Sequence, residues 1–164
     1  MSFDLFIFNA YKAPRESVAF LAWYDALTQW NEDIDYNDPQ RCGSALRAWF
    51  DDAISLFPPL NGPFANASDD SDFVTDYSLD RDFIYACYSW RLMNEATTLA
   101  TGLAAKHRLG IFHASSGDGL VQFPDGCSMQ IPNVANPPDK EMTLEEIMAS
   151  SITFEIKRPW WKFW

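Results

Sequence analysis

Hydrophobic positions along the chain alternate between two periods, and the switches between them mark out the elements. Phe3-Asp4-Leu5-Phe6-Ile7-Phe8 is aromatic and branched, the composition of a buried strand. Lys12-Ala13-Pro14-Arg15-Glu16 then opens a helix, with Pro14 tolerated in the first turn. Phe20, Trp23, Tyr24, Leu27 and Trp30 recur at helical spacing, and this helix ends near Asn31. Residues 31–41 combine turn formers with like charges and read as a loop. The spacing of Leu46, Trp49, Phe50, Ala53, Ile54 and Phe57 predicts an amphipathic helix from Ser44 to Phe57, stopped by Pro58-Pro59.

Residues 61–72 form a long polar loop. Residues 73–90 read as strand with a turn at Asp80-Arg81-Asp82, and the run Phe83 to Trp90 is apolar on both faces, as in a covered central strand. A third helix runs from Leu92 to Arg108 on a stripe of Ala96, Leu99, Ala100, Leu103 and Ala104, with Gly110 as its C-terminal cap. Leu109–Ala114 and Leu120–Phe123 make a hairpin around Ser116-Gly117-Asp118-Gly119. Residues 124–140 read as loop, Thr143 to Glu146 as a helix start, and Ile152 to Ile156 as a last strand. The expected fold is α/β (α+β): a mixed or antiparallel sheet of about five strands packed with three main helices, in one domain over 1–164.

Composition supports a folded chain. Of 164 residues, 48% are hydrophobic and 16% aromatic, too rich for disorder. A chain this long buries roughly 70% of its unfolded surface without disulfides or a metal. Cys42, Cys87 and Cys127 are odd in number and far apart, which fits reduced thiols and a cytoplasmic location. The apolar N-terminus is short, lacks a basic start and contains Asp4, so a signal peptide is not expected. No apolar run approaches the ~20 residues of a membrane span.

Charge adds a direction. The net charge is −11, and residues 1–82 hold 15 acids and 5 bases, against 8 and 7 in residues 83–164. That asymmetry argues against nucleic acid or anionic lipid and suits a partner with a basic surface. The acids cluster in two segments: Glu32, Asp33, Asp35 and Asp38 around Tyr36, and Asp69, Asp70, Asp72, Asp76, Asp80 and Asp82 around Tyr77. In an extended chain, Asp76, Asp80 and Asp82 share one face, where a cationic partner relieves their repulsion. Trp30, Tyr36, Phe64, Phe73 and Tyr77 are candidate aromatic anchors. The basic, aromatic tail 157–164 either closes the core or presents an adhesive patch.

Catalytic and metal motifs are weak. His113, Ser115, Ser116 and Asp118 are the residue types of a hydrolytic triad, crowded into one hairpin instead of converging from separate elements. The two histidines, His107 and His113, and the dispersed cysteines have no metal-ligand spacing. The aspartates of 69–82 lack the glycine and glutamate of a calcium loop, with Val74 at the third ligand place. Gly117-Asp118-Gly119 opens no helix, so it is no dinucleotide fingerprint. No cofactor is expected.

Several segments resemble a group of small bacterial proteins: Met1 to Phe8, Phe20 to Tyr24, Phe57 to Pro63, Asp76-Tyr77-Ser78, Ile84-Tyr85-Ala86, and Lys106-His107 through Ser115, together within residues 1–125. Proteins of this kind resemble cognate immunity proteins of polymorphic or contact-dependent toxin systems. The resemblance implies an immunity protein with a cognate toxin and carries no site residue with it; the acidic balance of residues 1–82 and the absence of an enzyme motif point to occlusion of that toxin, by a monomer or weak homo-oligomer. Two other functions stay open: a small hydrolase-like enzyme with a pocket near His113, and a scaffold acting through the aromatic tail.

Overall fold

The computed structural model describes residues 2–66 and 68–131. Among the described residues, six strands form one antiparallel sheet, in the spatial order Asp76–Leu79, Phe83–Ser89, Ser2–Phe8, Gly110–Phe112, Leu120–Gln122 and Ser128–Gln130. They are β1 (Ser2–Phe8), β2 (Asp76–Leu79), β3 (Phe83–Ser89), β4 (Gly110–Phe112), β5 (Leu120–Gln122) and β6 (Ser128–Gln130). Three α-helices among the described residues accompany them: α1 (Ser17–Leu27), α2 (Ser44–Ala53) and α3 (Met93–Lys106). The α+β class expected from the periodicity is therefore the class observed.

β1 shows why the sheet carries helices on both faces. Strand side chains alternate, so Phe3, Leu5 and Ile7 join one core and Phe6 and Phe8 join another. The first core takes Leu46, Trp49, Phe50 and Ala53 of α2 and Ala96, Ala100 and Ala104 of α3. The small residues of α3 bring its backbone close to the sheet and to α2, where Trp49 Nε1 donates to the Ala100 carbonyl at 3.3 Å. The second core takes Phe20 and Tyr24 of α1, which meet Phe6, Phe8 and Phe112 edge to face.

Several expectations are corrected. Lys12 to Glu16 is turn, not helix; Glu16 is the N-cap of α1, accepting from the Val18 and Ala19 amides at 3.1 and 3.0 Å. α1 stops at Leu27 and α2 at Ala53, each short of its last apolar position, so Trp30 and Phe57 pack from turns. The left-handed residue after α3 is Arg108 at φ 56°, not Gly110. Gly110 instead opens β4 under the ring of Phe8, which a Cβ would overlap. Within 124–140, Ser128–Gln130 is a strand paired with β5. The helix start at Thr143, the strand at 152–156 and the tail 157–164 lie outside the described residues.

Candidate functional site

The outer edge of β2 organises both acidic segments. Leu79 donates its amide to the Tyr36 carbonyl at 2.7 Å, which lays the 31–41 loop along one end of that edge. At the other end, Thr75 donates to the Pro58 carbonyl and Leu60 donates to Thr75. Between them Gly62, at φ 87°, lies against the backbone of Asn37, where a Cβ would come within 2.7 Å of the Asn37 carbonyl. The loops thus cover backbone groups that an edge strand otherwise presents for aggregation.

Within these loops the carboxylates divide by what they touch. Asp35 and Asp38 accept the amides of Asn37 and Gln40, each at 2.9 Å, and Asp69 accepts that of Ser71 at 3.0 Å. These bonds shape turns and leave the charge in place; the Ser71 bonds hold the Asp69 carboxyl below its ordinary range. Glu32, Asp33 and Asp70 are exposed. None of these six forms an ion pair with a base among the described residues.

The other acids of the second segment are engaged internally. Asp72 pairs with Arg91 at 3.2 Å, and Asp80 with Arg41 at 3.3 Å. Asp82 accepts from the Asn9 side chain at 3.2 Å, and Asp76 from that of Asn61 at 3.3 Å. The shared face expected for Asp76, Asp80 and Asp82 does not form, because the chain turns between Leu79 and Phe83. Tyr77 is 3% exposed and donates its hydroxyl to the Phe57 carbonyl at 2.9 Å, so it has no surface to offer a partner. Tyr36 is half-buried, edge-on to Trp30, and its hydroxyl accepts the Asn31 amide. Phe73 packs on Phe57. The exposed apolar side chains of this region are Leu60 and Phe64, and Arg47 lies 5.7 Å over the Phe64 ring.

A polar row crosses the α1 side of the sheet that charge patterning does not reveal. Strand register sets Asp76 beside Cys87 and Cys87 beside Asp4. Asp4 is 7% exposed; its Oδ2 accepts the Tyr85 hydroxyl at 3.0 Å, and its backbone exchanges hydrogen bonds with Ser115. Burial raises the Asp76 carboxyl above its usual range and pushes the Cys87 thiol far up. The Cys42 thiol rises to about 12 for the same reason. Neither is a thiolate nucleophile at neutral pH. The signal available in sequence was a lone aspartate inside an apolar strand.

The hairpin residues behave as turn chemistry. His113 is buried and meets the Gln122 amide oxygen at 3.2 Å, not a carboxylate. Ser115 Oγ accepts the Asp4 amide, and Ser116 Oγ donates to Asp118 Oδ1 at 2.6 Å. The geometry gives His113 no serine to activate. Among the described residues, no three His, Cys, Asp or Glu side chains are placed to hold a metal ion, and no helix is long and apolar enough to cross a membrane.

Set against protein-family models, curated proteins and solved structures, the chain matches none.

Proposed function

We propose that this chain is a cytoplasmic immunity protein that binds a basic bacterial toxin domain and occludes it, using the loops along the β2 edge. The toxin class rests on the resemblance described above, and the binding mode rests on the geometry. The observation that carries it is the set of six carboxylates, Glu32, Asp33, Asp35, Asp38, Asp69 and Asp70, that no described base neutralises. Leu60 and Phe64, exposed apolar side chains, fall between the two acidic segments along the chain and are the candidate anchors. Interfaces take most of their binding energy from such anchors, while rim charges act mainly on association rate. A basic groove built for a phosphate backbone is the natural complement.

The test is co-expression with a candidate basic toxin domain, with binding measured at low and high salt. Replacing Glu32, Asp33 and Asp35 with Ser should weaken binding and flatten its salt dependence. Replacing Asp69, Asp70 and Asp72 should do the same, although it also releases Arg91; Asp69 with Asp70 alone is the cleaner variant. Desolvated charge pairs couple by about 1.5–7 kcal/mol, so any buried member should show clearly. Unchanged protection and unchanged salt slopes in both variants would rule out the acidic-edge mechanism.

A further inference from the structure

One end of the sheet gathers four chain segments into a cleft of about 350 Å³. β1 ends there, and Asn9 holds the β2–β3 turn through two bonds to Asp82, backbone at 2.9 Å and side chain at 3.2 Å. The same turn is held to the start of α2, where the Gly43 amide donates to the Arg81 carbonyl at 3.1 Å. A Cβ on Gly43 would come within 2.9 Å of that carbonyl, so the approach requires glycine. Arg108 enters from the end of α3 in its left-handed conformation.

The charge of this cleft is opposite to that of the molecule. Eight Lys and Arg side chains lie among the described residues, and five of them, Arg15, Arg41, Arg47, Arg91 and Lys106, form ion pairs. The three that do not are Lys12, Arg81 and Arg108, and all three line this cleft. All three are exposed and solvated, and in a chain with nearly twice as many acids as bases the cleft gathers three cations that no carboxylate pairs. The carboxylate lining the cleft, Asp82, is already engaged by Asn9, and His107 is held from behind by Asp52 at 2.7 Å. α2 begins there without a capping side chain, so the amides of Ser44, Ala45 and Leu46 add donors at the positive end of the helix.

We propose that this cleft binds a phosphate dianion, free or as the terminal group of a small ester. Two guanidiniums offer forked donors matched to phosphate oxygens, an ammonium adds a point charge, and helix amides complete the shell. The volume is at the lower end of small-molecule sites. None of the six unpaired carboxylates lines the cleft, and its test needs no protein partner.

The experiment is an amide NMR titration of the full chain with inorganic phosphate and, separately, adenosine 5′-monophosphate. Potassium chloride at matched ionic strength is the control. Saturating shifts are expected at residues 44–46 and around Lys12, Arg81 and Arg108 with phosphate and not with chloride. Tighter binding of the monophosphate assigns an ester, and equal binding assigns free phosphate; both uphold the site. Arg81→Gln with Arg108→Gln should weaken binding about tenfold or more, as expected for losing charge-assisted bonds. If that variant loses its folded spectrum, Lys12→Gln alone decides, with a loss of about threefold or more expected. Shifts that never saturate, that chloride reproduces, or that survive these substitutions at full affinity overturn the proposal.

Discussion

The β2 edge and the cleft beside it carry opposite charge, yet they share one turn. Asp80 faces the acidic side, where it takes Arg41, while the neighbouring Arg81 lines the cleft and gives its carbonyl to Gly43. Their construction differs. The acidic edge is made from runs of sequence, four carboxylates within residues 32–38 and two at 69–70. The cleft draws single cations from the end of β1, the β2–β3 turn and the end of α3. A charge run announces itself along the chain, whereas convergent charges exist only once the chain folds.

The largest effect should come from the scaffold both regions depend on. Trp49→Ala removes a fully buried side chain between α2 and α3 and should cost about 3–5 kcal/mol. Chemical denaturation measures it, and a loss below about 1 kcal/mol would mean the α2–α3 core does not support the sheet as described. The acidic loops should behave in the opposite way. Replacing Glu32, Asp33 and Asp35 together with Ser should leave stability within about 0.5 kcal/mol of the parent per site, because these side chains are exposed and outside any ion pair, and a Ser hydroxyl can still accept the Asn37 amide at position 35.

The same contrast governs what was legible in the sequence. The central strands, the amphipathic α2 and the Ala-rich α3 follow from periodicity, because burial on one face imposes that period. The start of α1 did not, since Pro14 is compatible with both a first helical turn and a plain turn. β6 escaped because Ser128-Met129-Gln130 has little apolar character and is fixed by pairing with β5. The acidic segments were visible, but which acids remain free was not. Asp80 and Arg41 are 39 residues apart and Asp72 and Arg91 are 19 apart, so only the fold reveals these pairings. Tyr77 illustrates the converse, a tyrosine among acids whose strand parity sends it into the core.

Two smaller effects sharpen the comparison. Asp82→Asn keeps an acceptor for Asn9 and removes the carboxylate from the cleft, so phosphate should bind about threefold to tenfold more tightly in the NMR titration. Weaker binding would mean Asp82 orders the cleft through its charge. Asp76 gives the smallest effect. Burial holds its folded pKa above the unfolded value, so the folded state binds the proton more tightly. Its penalty is absent below the unfolded pKa and grows as pH rises through the folded one. Asp76→Asn should therefore stabilise the protein at pH 7 and lose that advantage at pH 3, as read by denaturation midpoints at both values. A variant equally or less stable than the parent at pH 7 would show that ionised Asp76 is compensated.

The most direct measurement is an amide hydrogen-exchange footprint of the chain in complex with its basic protein partner. Slowed exchange is expected over residues 31–38, 60–64 and 68–72, with the amides of 44–46 and 108–110 unchanged. Protection centred on 44–46 and 108–110, with the acidic loops exchanging as in the free protein, would contradict it.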